Sequence, residues 1–166
     1  MLDRIFEKFE KYPAQLKVVK AMVGLGLRVE GDRIFCGEIE LSGSSIARAI
    51  GVDRRAITST IETIQGDEWM KGMFSKLITT SSFKDVAPDL GWGVIEIVPT
   101  DPHLSGILAR VSDLIAREKI SIRQAIADDP GLEEDPRLFI ITEKPIPFDM
   151  IPKIREVEGV RSIVIY

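Results

Sequence analysis

The sequence predicts an α+β chain: a helical N-terminal part that carries a β-hairpin, then a C-terminal βαββαβ unit. Three observations predict it. Apolar residues recur at helical spacing over residues 2–23 and again over 42–65. Between them, over residues 27–41, the period switches to alternation. From residue 92 onward, strand-like and helix-like stretches follow one another as two strand–helix–strand units. Such units close into a four-stranded antiparallel sheet with both helices on one face.

Leu2, Ile5, Phe6 and Phe9 lie three or four apart, so residues 2–11 read as a helix. Pro13 resets the backbone and suits the first turn of a second helix. Leu16, Val19, Met22 and Val23 give that helix its stripe, and Gly24-Leu25-Gly26 should end it. Leu27–Glu30 and Arg33–Phe35 flank Gly31-Asp32 as a hairpin, and Gly37–Leu41 continues the alternation. A short helix follows through Ile46, Ala47 and Ile50, with Ser44 or Ser45 as its N-cap. Gly51 stops it, and Val52-Asp53 leads into a helix with Ile57, Ile61 and Ile64 on one face. Residues 67–77 add another, with Trp69, Met70, Met73, Phe74 and Leu77 apolar. The stretch 78–91, rich in Thr, Ser and Asp, reads as a connector between domains of residues 1–77 and 92–166.

In the second domain the strands are Gly93–Val98, Ile120–Ala127, Leu138–Thr142 and Val160–Ile165. The first helix spans about Leu104–Lys119, where Leu104, Ile107, Leu108, Val111, Leu114 and Ile115 fit a one-face template. The acidic stretch Asp128–Pro136 joins the middle strands as a hairpin loop. The second helix spans about Asp149–Val157, after Pro145 and Pro147, and Gly159 ends it.

Composition narrows the function classes. Net charge is −4, but residues 1–65 carry 10 basic and 9 acidic residues while 66–166 carry 12 and 17. A basic surface over the whole chain is excluded, so nucleic-acid binding must come from a local cluster in the first part. No apolar run approaches the ~18 residues of a membrane span, and the N-terminus lacks the apolar core of a secretory signal. The single cysteine, Cys36, excludes a disulfide within the chain. The cytoplasm is the expected location.

The spacing around Gly51 is that of a helix-turn-helix. Crossing helices need a small residue at their contact, which Ala47 supplies; the tight turn needs positive φ, which Gly51 tolerates. Val52 and Ile57 fill the gap between the helices. Residues 51–61 resemble the turn and recognition helix of bacterial and phage helix-turn-helix repressors. The other face of the second helix carries Arg54, Arg55, Thr58, Ser59 and Glu62, and Arg48 stands on the preceding helix. Such a helix enters a major groove with its N-terminal residues at base edges. Arg54, Arg55, Thr58 and Ser59 suit guanine, other base edges or phosphate, and Arg48 suits the backbone. A helical hairpin with a merely solvated polar face fits the same residues. The hairpin over 27–41 precedes the motif and carries Glu30, Asp32, Glu38 and Glu40, so it is not a wing.

The C-terminal residues Val94–Asp101, Ser105–Val111, Lys119–Ile122 and Val157–Val160 carry a resemblance to the ACT domain family, over about residues 92–166. The whole layout resembles an archaeal group of predicted regulators of amino-acid metabolism that contain an ACT domain. The leucine-responsive regulator family joins similar parts, with its helix-turn-helix closer to the N-terminus. The resemblance implies a ferredoxin-like fold, amino-acid binding and a homodimer or higher homo-oligomer. It places ligand between the loop before the first helix and a neighbouring subunit's sheet. The residues so implied are Asp101, His103, Leu104, Ser105, Gly106, Ile107, Ser121 and Ile122. Ser105 stands where the family commonly has proline, and Ser121 where it often has asparagine. Physically, a helix N-terminus suits an α-carboxylate, Gly106 lets it approach, and Asp101 suits an α-ammonium. Simple N-capping by Asp101 and simple helix packing at Gly106 are the alternatives that fit the same residues.

His103 is the only histidine, Cys36 has no partner for zinc or nucleophilic chemistry, and the acids of 128–135 match no calcium-loop spacing. No phosphate-cradling glycine loop or nucleophilic triad pattern is present. No cofactor and no enzyme activity is expected. The expectation is a transcription regulator that binds double-stranded DNA and responds to a small molecule, an amino acid. The alternative is a regulatory subunit that senses an amino acid and controls a metabolic enzyme without binding DNA.

Overall fold

Helix α1 (Leu2–Phe9) buries Ile5 and Phe9, and α2 (Pro13–Gly24) buries Val18, Val19 and Met22, with Pro13 in its first turn. These two helices open a computed structural model that describes residues 2–166. Strands β1 (Arg28–Glu30), β2 (Arg33–Cys36) and β3 (Ile39–Leu41) follow as a three-stranded antiparallel meander, so the hairpin gains a third strand. Only Val29 and Ile34, which pair across β1 and β2, bury fully from it.

Helix α3 (Gly43–Ile50) begins earlier than an N-cap at Ser44 or Ser45 would start it. Ser42 holds the N-cap position without a side-chain bond, so neither Ser44 nor Ser45 caps it. Helix α4 (Arg54–Gln65) is capped by Asp53, whose carboxylate accepts from the Arg55 N–H at 2.7 Å. Helix α5 (Glu68–Phe74) is capped by Asp67, which accepts from the N–H groups of Trp69 and Met70. Apolar faces of α1–α5 and the meander form one core around Phe9, Met22, Ile34, Ile57, Ile64 and Phe74. Burying such side chains stabilises by roughly 1.5–3 kcal/mol each.

The chain divides into two units between Ser81 and Ser82. The second unit contains β4 (Gly93–Pro99), α6 (Ile107–Arg117), β5 (Ile122–Ala127), β6 (Leu138–Thr142), α7 (Met150–Arg155) and β7 (Val160–Ile165). Its strand order is β5-β6-β4-β7, all antiparallel: a ferredoxin-like βαββαβ sheet. Both helices pack on one face, where Ile95, Ile97 and Ile140 meet Val111, Ile115, Met150 and Ile154. Residues 78–91 do not run as a free connector. Thr79 donates to the carbonyls of Leu25 or Gly26 in the first unit. Residues 82–92 lie on the other face of the second unit's sheet, where Ala87 is buried and Trp92 packs with Val94, Phe139 and Ile141. Helix α6 is shorter than its apolar pattern, and Leu104 lies outside it, in the preceding loop. No helix among the described residues is long and apolar enough to cross a membrane.

Candidate functional site

Two places gather the residues singled out in the sequence, one in each unit. In the first unit the turn between α3 and α4 is built as its spacing requires. Gly51 takes φ +68° and ψ +47°, and its N–H and that of Val52 both donate to the Ala47 carbonyl. Ala47 is buried, as are Ile57, Ile61 and Ile64 along α4. Thr60 is buried too, its hydroxyl donating back to the Ala56 carbonyl at 2.7 Å, which leaves no polar atom stranded in the core. The stripe therefore fixes which way α4 faces.

The opposite side of α4 presents Arg54, Arg55, Thr58 and Glu62 to solvent, with Ser59 half-buried beside them. Arg48 is exposed on α3. None of Arg48, Arg54 and Arg55 makes an ion pair or side-chain hydrogen bond among the described residues. Two grooves flank α4. One, toward the meander, is lined by Asp32, Arg33 and Glu40 with Arg54 and Thr58. The other, toward the α1–α2 corner, is lined by Lys11, Tyr12 and Pro13 with Arg55 and Ser59. Lys17, on α2, brings its ammonium close to Gly51. Lys11 and Lys17 escaped sequence reasoning because nothing in local spacing ties α2 to α4; the tertiary packing of α2 on α4 brings them there.

In the second unit Asp101, His103, Leu104, Ser105, Gly106 and Ile107 form one continuous loop into α6. Asp101 accepts from the His103 N–H at 2.9 Å, so it shapes the loop and does not cap α6. Gly106 holds the cap position at φ +90° without a side-chain cap bond. Arg110 lies against Gly106, with Nη2 donating to the carbonyls of Ser105 (3.4 Å) and Glu158 (3.0 Å). Thr100 ties the loop to Gly159, its N–H donating to that carbonyl at 2.8 Å. A hollow of about 160 Å³ opens beneath, lined by Ile97, Pro102, Leu104, Gly106, Ile107 and Leu138 among others. Ser121 and Ile122 lie elsewhere. Ile122 pairs with Thr142, whereas Ile97, near the loop, pairs with Leu138. Within one chain they stand at the opposite end of the sheet. Arg110 and Gly159 are the residues sequence reasoning missed at this loop. Arg110 sits one turn inside α6; it falls within the stretch Ser105–Val111 that carries the family resemblance, which implies no role for it.

The far face of the sheet carries a polar cluster. Glu96 is buried, accepting from Tyr166 Oη at 2.5 Å and pairing with Arg137 at 3.2 Å. That bond to Glu96 raises the Tyr166 phenol above its ordinary value. No group of three or more His, Cys, Asp or Glu able to hold a metal ion occurs among the described residues.

No family model and no curated protein matches the chain. Among solved structures it is similar to the crystal structure of an AsnC family transcriptional regulator from Agrobacterium tumefaciens, at 13% identity. That likeness covers 92% of this chain and 86% of the other, with a TM-score of 0.28, too low to place this chain in that family.

Proposed function

We propose that the chain is a ligand-responsive transcription regulator. It binds double-stranded DNA through α3 and α4, and an amino acid at the loop entering α6. The observation that carries the reading is α4 itself. Its apolar stripe is sealed in the core while Arg54, Arg55 and Thr58 face solvent, their side chains without a partner among the described residues, behind a left-handed glycine turn. A helix so presented reads a major groove from its N-terminal end, with Arg54 and Arg55 at guanine or phosphate and Thr58 and Ser59 alongside. Arg48 anchors backbone phosphate, and Glu62 lies further along the same face. Homodimerisation sets two copies of α4 about one turn of DNA apart.

For the effector, the α-carboxylate meets the open N–H groups at the start of α6 and the Arg110 guanidinium beside Gly106. The α-ammonium meets Asp101, with His103, Leu104 and Ser105 around it. In a homodimer a second copy's Ser121 and Ile122 complete the site. The protein acts without cofactor or catalysis, in the cytoplasm. A second reading, a regulatory subunit of a metabolic enzyme that does not bind DNA, is favoured by Asp32 and Glu40 beside Arg54. Fluorescence anisotropy on mixed genomic duplexes separates the two. Binding at low salt, altered by one of the twenty amino acids, supports the regulator. Absence of DNA affinity with every amino acid present leaves the subunit reading.

A further inference from the structure

The two grooves beside α4 differ in charge, and the difference sets where a polyanion can pass. On the meander side two carboxylates, Asp32 and Glu40, line the groove, and its Arg33 is already paired with Glu40 at 3.5 Å. On the α1–α2 side no carboxylate lines the groove, and Lys11 and Arg55 are without ion pairs among the described residues. Its floor is apolar, formed by Tyr12, Pro13, Ala14 and Ala56, with Tyr12 57% exposed. A sugar–phosphate backbone matches that pattern: deoxyribose carbons on the floor, phosphate oxygens between the cations, the half-buried Ser59 hydroxyl as a further donor. Resting on the DNA-binding reading, we infer that the duplex backbone crosses α4 on the α1–α2 side, seated between Lys11 and Arg55. The contact surface thus extends beyond the helix-turn-helix to the corner Lys11–Pro13. The groove carries no sequence information, because phosphate contacts position and base contacts specify.

The test is anisotropy with one duplex over a salt series, repeated on a second duplex of different sequence. Lys11→Gln should weaken binding to both duplexes equally and lower the salt slope by about 0.9 per bound chain, the loss of one phosphate contact. Lys11→Arg should keep the wild-type slope. Glu40→Gln, which frees Arg33 on the meander side, should leave the salt slope unchanged, because no backbone phosphate lies there for Arg33 to meet. Lys11 is exposed and pairs with none of the described residues, so its variants should melt as the wild type does, and an unchanged melting curve shows that each variant folds. If the wild type binds but Lys11→Gln matches it in affinity and slope, the inference is overturned and the DNA-binding reading stands. A salt slope made steeper by about 0.9 in Glu40→Gln overturns it too, by placing a phosphate at Arg33 on the meander side. A wild type that binds no duplex at low salt removes the DNA-binding reading and this inference with it.

Discussion

Gly51 and Gly159 both hold positive φ, +68° and +93°, and an alanine at each separates backbone strain from collision. At Gly51 an added Cβ meets nothing nearer than Lys17 Nζ, at 3.9 Å. Gly51→Ala therefore carries only the left-handed penalty, about 1–2 kcal/mol. Lost freedom in the unfolded chain offsets about 0.4–1 kcal/mol of that. The net is a loss of about 1 kcal/mol. At Gly159 the same Cβ would lie 2.5 Å from Leu104 Cδ2 and 2.9 Å from two carbons of Ile107. Leu104 can move outward, but Ile107 is 7% exposed and packed in the core. Forcing it aside adds about 1–3 kcal/mol, for a total near 2–4 kcal/mol. Each unit has one tryptophan, Trp69 and Trp92. Urea unfolding in Trp92→Phe and Trp69→Phe backgrounds therefore reads the units separately. Gly51→Asn should lose less than Gly51→Ala, since asparagine tolerates the left-handed region. A Gly159→Ala loss no larger than that of Gly51→Ala would refute the packing argument.

Arg54→Ala and Arg55→Ala should each weaken specific DNA binding by about 1–3 kcal/mol with folding intact, and anisotropy showing no change for either would remove α4 as the reading helix. Tyr166 donates to Glu96, which raises its pKa above 10.0. The stability it contributes is therefore complete below pH 10 and lost as pH rises through the folded value. In a Tyr12→Phe background, absorbance at an ultraviolet phenolate band should show a midpoint above pH 10 that Glu96→Gln brings down; a midpoint at or below 10 contradicts the bond. Asp67 is held below 3.8 by the Lys8 hydrogen bond at 2.6 Å and by the Met70 and Trp69 N–H groups. Its contribution is present above pH 3.8 and disappears as pH falls through the lower folded value. The stability gap between wild type and Lys8→Gln should close in that acid range, and a gap that widens there would overturn the assignment.

Periodicity exposed most of the fold. Ile57, Ile61 and Ile64 lie on one face whatever the surroundings, and the strand stretch Leu138–Ile141 is apolar on both faces because helices cover one and residues 82–92 the other. Local signals failed where tertiary context decided. Ser44 and Ser45 suit an N-cap, yet the chain leaves β3 at Leu41 and has already turned helical by Gly43. Leu104 fits the α6 stripe, but Gly106 at φ +90° starts the helix later and Leu104 instead covers Gly159. Polarity alone made 78–91 a connector; Phe83 and Ala87, with Trp92 just beyond it, show that a few apolar residues in a polar stretch suffice to hold it on a sheet. Of the candidate site residues, those near one another in sequence stay together, Arg54, Arg55, Thr58, Ser59 and Glu62 on one helix face and those of 101–107 at the loop entering α6. Ser121 and Ile122, brought in by resemblance, depend on a second chain to join them.

The acid excess of the chain bears on how strongly α4 can bind, and it yields a number. Exposed charges more than about 8 Å apart are largely screened at physiological ionic strength, so the cations beside α4 decide local affinity more than the net charge of −4 does. Near the α3–α4 turn stand Lys11, Lys17, Arg48, Arg54 and Arg55, all exposed. If each meets one phosphate, the salt slope reaches about −4.5 per chain, since each contact contributes about −0.9. Base contacts by Arg54 or Arg55 make it shallower for specific than for non-specific duplexes. Two chains on a two-fold site double it to about −9. A slope steeper than −4.5 per bound chain would require cations outside this corner, and a slope near zero would mean that no phosphate is neutralised. The first would redraw the interface; the second would leave α4 without the electrostatic term on which every duplex contact depends.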